Sequence, residues 1–79
     1  MLNNATSFNQ HVTAMNYMFS NAKSFNQSLN HWNVSNVTSM DYMFDHAISF
    51  NQPLNNWNVG NMITMDYMFF NAIYVLIFF

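Results

Sequence analysis

The sequence predicts an α/β solenoid built from 25-residue strand–turn–helix coils, and three observations predict it. First, the string WNVSNVTSMDYMF at Trp32–Phe44 returns 25 residues later as WNVGNMITMDYMF at Trp57–Phe69. Motifs echoed at a fixed interval of roughly 20–50 residues mark stacked repeats. Second, the apolar letters change period inside one copy. Trp32 and Val34 are two apart, as on one face of a strand, whereas Val37, Met40, Met43/Phe44 and Ala47 follow a helical stripe. Third, the asparagines keep register across copies as Asn26/Asn51, Asn30/Asn55, Asn33/Asn58 and Asn36/Asn61. Stacked amides donate and accept along the axis of a stack, as in Asn/Gln ladders.

Each element follows from its place in the copy. SFNQ stands at Ser7–Gln10, Ser24–Gln27 and Ser49–Gln52, and Tyr-Met-Phe at Tyr17–Phe19, Tyr42–Phe44 and Tyr67–Phe69. Leu29-x-x-Trp32-x-Val34 reads as the strand. Ser35 and Asn36 cap the helix that follows, with Asp41 near its positive end. Ser49, Asn51 and Pro53 supply the turn, and Phe50 points inward. The second full copy repeats this through Leu54, Trp57, Val59, Met62, Met65, Met68/Phe69 and Ala72. Stacking then sets Phe25 on Phe50, Leu29 on Leu54, Trp32 on Trp57, and Met40 between Met15 and Met65. The expected organisation is a partial coil 1–23, complete coils 24–48 and 49–73, and an atypical tail 74–79. The first copy lacks eight residues equivalent to Ser28–Ser35, and Met1–Ser7 matches the end of a still earlier copy, so the chain reads as beginning in mid-repeat.

Composition narrows the function classes. Apolar residues make up 52% and charged residues only 5%, so polarity comes from Asn, Ser, Thr and Gln. That balance is the reverse of a disordered chain. One lysine, no arginine and a net charge of −2 leave no electrostatic footprint for nucleic acid and no basic face for an anionic membrane. The absence of cysteine rules out disulfides and thiolate metal sites. No basic segment followed by an apolar run opens the chain, which reads as lacking a signal peptide. The apolar end, IYVLIFF at Ile73–Phe79, is shorter than the roughly 20 residues of a membrane span and reads as a buried or aggregation-prone strand.

The pattern Leu-x-x-Trp-x-Val-x-x-Val at Leu29–Val37, echoed at Leu54–Met62, resembles the strand signature of leucine-rich repeats, although Asn36 and Asn61 sit one position early. The fuller string SFNQSLNHWNVSNVTSMDYMFDHA resembles the repeat of BspA-like leucine-rich-repeat surface proteins, and more narrowly the mycoplasma lipoprotein-associated repeat of unknown function. The resemblance implies a leucine-rich-repeat-like solenoid in a long surface-exposed or extracellular array. It further implies adhesion or binding of a protein or cell-surface ligand, without catalysis or cofactor.

No catalytic or metal constellation stands out. His11, His31 and His46 fall at three different repeat positions opposite Asn36, Asn56 and Asn71, so they do not converge as a ligand set should. Asp41 and Asp66 stack one coil apart, but Asn16 fills that slot in the first copy and no general acid or oxyanion donor accompanies them. The tryptophans, tyrosines and methionines read as core columns.

A binding face, if the coils carry one, falls at the exposed strand positions Asn30, His31, Asn33, Asn55, Asn56 and Asn58. Two coils offer a patch well below the ~800 Å² per partner of a stable interface, so binding needs neighbouring repeats of a longer array. Three readings follow: a non-enzymatic interaction module, a purely structural spacer, or a degenerate fragment with no independent function.

Overall fold

The computed structural model describes residues 12–74. Within them the coils do stack at the 25-residue interval, but the stack contains no helix and its only strand-like pairing is isolated. Parallel bridges join Ala14 to Ser39 and Ser39 to Thr64. The expected α/β leucine-rich-repeat-like solenoid of strand–turn–helix coils is therefore incorrect.

What replaces it is a coil made of tight turns. Backbone hydrogen bonds close Leu29 to Trp32, Val34 to Val37, Met40 to Met43, Phe44 to Ala47 and Ala47 to Phe50, each from the N–H of the later residue to the carbonyl three before it. All nine residues at the ends of these turns are buried, while the residues between them are less buried and, Ile48 apart, more polar. The same turns recur at 54–57, 59–62, 65–68 and 69–72. The apolar-polar-polar-apolar spacing read as a helical stripe is thus the spacing of successive four-residue turns.

Two further facts keep 37–47 out of a helix. The N–H groups of Met40, Tyr42, Phe44 and His46 donate not to carbonyls four residues back but to Thr64, Asp66, Met68 and Phe70 of the next coil, at 2.7–3.0 Å. Likewise Met15, Tyr17, Phe19 and Asn21 donate to Ser39, Asp41, Met43 and Asp45. Alternate N–H groups therefore bond across coils, and those of Met43 and Asp45 between them close turns, so a helical ladder cannot form. In addition, Tyr17, Asn21, Tyr42, His46, Tyr67 and Asn71 all adopt positive φ, between 56° and 62°. A pair of left-handed residues four apart in each coil ends any right-handed helical run there.

The supposed strand around Trp32 fares similarly. Trp32 and Val34 do share the inward face, with Asn33 outward between them. No ladder forms there because turns 29–32 and 34–37 flank them immediately. This side of the stack is joined largely through side chains. Asn51 N–H donates to Asn26 Oδ1 at 2.8 Å, Asn56 N–H to Asn30 Oδ1 at 2.9 Å, and Asn61 Nδ2 to the Ser35 carbonyl at 2.8 Å. Amide side chains here take the place of the backbone ladder on the opposite side, which is why a chain with so few charges carries so much asparagine.

The core lies between the two sides. Phe44, Phe50, Met40, Met43, Leu54 and Val37 are wholly buried. Rings stack along the axis: Phe19 on Phe44 at 5.5 Å, Phe44 on Phe69 at 5.4 Å and Phe25 on Phe50 at 5.8 Å. Outside them runs a second column, Tyr17–Tyr42–Tyr67, with centroids 5.0 and 5.2 Å apart. Offset ring stacks at this spacing add to the burial of each ring. Neither coil could bury its aromatic row alone, so the stability of each rests on its neighbours.

Candidate functional site

The six residues expected to form a binding face come together, but on turns and not on strands. Asn30 and His31 occupy the centre of turn 29–32, and Asn55 and Asn56 the centre of turn 54–57 directly beyond it. Asn30 Nδ2 donates to Asn55 Oδ1 at 3.2 Å, tying the two rows together. Asn33 and Asn58 point outward just after the tryptophans, yet each serves its own coil. Asn33 Oδ1 accepts from Ser35 N–H at 3.0 Å and from the Ser35 hydroxyl at 2.7 Å, and Asn58 Oδ1 accepts from Gly60 N–H at 2.9 Å. These are Asx turns, in which a short amide replaces a backbone acceptor. Four of the six side chains thus hold the fold. His31 and Asn56 are exposed, and among the described residues their side chains have no hydrogen-bond partner.

The patch is wider than those six positions. Gln52 Nε2 donates to both the carbonyl and Oδ1 of Asn26, at 3.2 and 3.1 Å. With Asn61 on Ser35, the amide seam extends on both flanks of the turns. The signal for it was the 25-residue register of asparagine; its division into axial bonds and Asx turns depends on backbone geometry that the register does not encode.

Asp41 is positioned by the stack and not by a helix start. Its Oδ1 accepts from Asp66 N–H at 2.7 Å and from the Thr64 hydroxyl at 2.7 Å. Asn16 does the same one coil earlier, with its Oδ1 taking Asp41 N–H at 2.7 Å and the Ser39 hydroxyl. Only an acceptor oxygen is required, so Asn and Asp are interchangeable in this slot. Asp41 Oδ1 is thereby committed to the stack.

His46 lies in a different network. Its Nδ1 meets Asp45 Oδ1, and its Nε2 lies 3.0 Å from Asn71 Nδ2. An Asp–His pair is the start of an acid–base relay, but Nε2 here faces an amide in place of a nucleophile's hydroxyl. His31 sits on another turn, and His11 lies outside the described residues. Among the described residues no group of three or more His, Asp or Glu side chains is placed to hold a metal ion. Tyr42 is held above the usual tyrosine pKa by desolvation, and by the neighbouring Tyr17, Tyr67, Asp45 and Asp41.

Among the described residues no helix is long and apolar enough to cross a membrane. Ile73 and Tyr74, at the start of the apolar end of the sequence, are exposed, and Val75–Phe79 lie outside the described residues. No curated protein and no solved structure matches the chain. A family described as Mycoplasma protein of unknown function, DUF285, matches it over residues 1–75, and the chain belongs to that family.

Proposed function

We propose that the chain is a non-enzymatic repeat module of a surface-exposed adhesion or protein-binding array, of the kind its resemblance to BspA-like surface repeats implies. The observation that carries this reading is the pairing of His31 and Asn56. Both are exposed, both are without a side-chain partner among the described residues, and both lie on adjacent turns locked in register by the Asn30–Asn55 amide bond. Polar groups on a pre-ordered surface engage a partner without the entropy cost of ordering a loop. The face is small, so an array that repeats it multiplies weak contacts into avidity.

The test uses beads coated with the full chain and a mammalian cell monolayer. Wild-type beads adhere, adhesion falls after protease treatment of the cells, and the double variant His31→Asp/Asn56→Asp loses adhesion while keeping its melting temperature.

A second reading, a structural spacer, is favoured by the engagement of Asn30, Asn33, Asn55 and Asn58 in the fold itself. Equal adhesion by wild type and the double variant would select the spacer.

A further inference from the structure

The two ends of the stack differ in kind. Each coil passes four N–H groups forward to four carbonyls of the next coil: 15, 17, 19 and 21 to 39, 41, 43 and 45, then 40, 42, 44 and 46 to 64, 66, 68 and 70. The equivalent donors of the last coil are Met65, Tyr67, Phe69 and Asn71, and among the described residues their N–H groups have no acceptor. The equivalent acceptors of the first coil are the carbonyls of Ala14, Asn16, Met18 and Ser20, and these have no donor there. Over these four positions one end of the described stack is therefore a row of donors and the other a row of acceptors at the same spacing, while the bonds from Thr38 to Thr13 and from Ile63 and Thr64 to Thr38 run the other way.

We propose that the donor end, 65–71, docks on the acceptor end, 14–20, of a second copy of this chain, so that copies stack head to tail. The register is set by the contacts already repeated twice inside the molecule. Met65, Tyr67, Phe69 and Asn71 donate to Ala14, Asn16, Met18 and Ser20 of the second copy. Asp66 Oδ1 takes the N–H of that copy's Asn16, as Asn16 takes Asp41 and Asp41 takes Asp66 within one copy. The tyrosine and phenylalanine columns continue, with Tyr67 over Tyr17 and Phe69 over Phe19. Tyr67 and Tyr17 are about equally exposed, at 60% and 58%; each is stacked face to face on Tyr42 alone, and Tyr67 also meets Phe70 at a right angle, centroids 5.7 Å apart.

Open edges are commonly protected by lysine or proline, and no lysine or proline within residues 63–72 guards against this contact. A donor row meeting an acceptor row is a heterologous contact that need not close, so it propagates into chains of copies.

The experiment is sedimentation equilibrium of the full chain, with amide hydrogen exchange followed by NMR over the same concentrations. Wild type, 9.3 kDa as a monomer, is expected to rise in mass beyond a dimer as concentration increases. Exchange at Met65, Tyr67, Phe69 and Asn71 is expected to slow at least tenfold in parallel. Tyr67→Lys blocks the donor end and Tyr17→Lys the acceptor end. Each alone stays monomeric, and an equal mixture forms a dimer and nothing larger, because one open end of each type remains. Met65→Pro removes a single N–H that has no acceptor among the described residues, and stands in for Tyr67→Lys if that variant loses its buried-tryptophan emission. A wild type that stays monomeric at its solubility limit would overturn the proposal. So would a Tyr17→Lys variant that dimerises by itself, a mixture that does not associate, or association unchanged by every end variant, which would assign it to Val75–Phe79.

Discussion

Trp57 donates its indole N–H to the carbonyl of Leu29, 28 residues earlier, at 2.8 Å, and so closes the core where backbone pairing between coils gives out. Trp32 occupies the same slot one coil before. Its indole N–H meets no acceptor among the described residues, because the first copy lacks the segment that would hold a counterpart of Leu29. Trp57→Phe removes this bond while the Leu29 carbonyl keeps the Trp32 N–H, and is expected to cost about 0.5–1.5 kcal/mol more than the shared loss of ring size. Trp32→Phe lacks that penalty. Urea denaturation of both variants is the check, with Trp57→Phe the less stable.

The acceptor slot at 16, 41 and 66 needs an oxygen and not a charge. Asp41→Asn is expected to change stability by less than about 0.5 kcal/mol, whereas Asp41→Ala loses both the Asp66 N–H and the Thr64 hydroxyl bonds and costs about 1–2 kcal/mol. Thermal melts of the two variants side by side distinguish these outcomes.

His46 is the exception in a left-handed column whose other members are Asn21 and Asn71. Asparagine tolerates positive φ better than other non-glycine residues. His46→Asn is expected to be neutral or mildly stabilising despite losing the Asp45 contact, which is partly solvent-screened. His46→Val puts a β-branched residue at φ 59° and should destabilise by about 1–3 kcal/mol. Melting temperatures that rank Val above His would contradict this.

Gly60 stands where the preceding coil has Ser35. A Cβ at Gly60 would come within 3.1 Å of Asn58 Oδ1, a contact that Ser35 already accommodates against Asn33 while adding a hydroxyl bond of 2.7 Å. Gly60→Ser is expected to stabilise by about 0.4–1 kcal/mol through a less flexible unfolded chain. Its denaturation midpoint should move up without a change in slope.

Tyr42 titrates above free tyrosine, chiefly through desolvation and then through Tyr17, Tyr67, Asp45 and Asp41. A folded-state pKa above the unfolded value means that its contribution to stability is complete below the unfolded pKa and is lost as pH rises through the folded one. In the triple variant Tyr17→Phe/Tyr67→Phe/Tyr74→Phe, the sole tyrosine is expected to ionise later than the same residue in the urea-unfolded chain. Absorbance at the phenolate band against pH reads this directly, and coincident curves would refute it.

The residues that face inward could be read from the repeat, and Phe44, Phe50, Leu54, Trp57 and Met40 lie where the register put them. Reading Val37–Ala47 as a helix failed because Met40/Met43 and Phe44/Ala47 are three apart both in a helix and in tight turns. The candidate face was half legible. Asn30, His31, Asn55 and Asn56 lie on adjacent turns, whereas the Asx turns of Asn33 and Asn58 depend on the backbone that follows them.

By itself the sequence determined the 25-residue interval, the columns of like residues and the burial of the apolar rows, since repetition at fixed spacing forces equal side chains into equal environments. Only the tertiary structure decided what each coil is. The N–H of Met40, Tyr42, Phe44 or His46 can satisfy itself four residues back or 24 residues on, and local sequence does not rank those partners. The neighbouring coil takes them here, and six left-handed residues make the choice geometrically consistent.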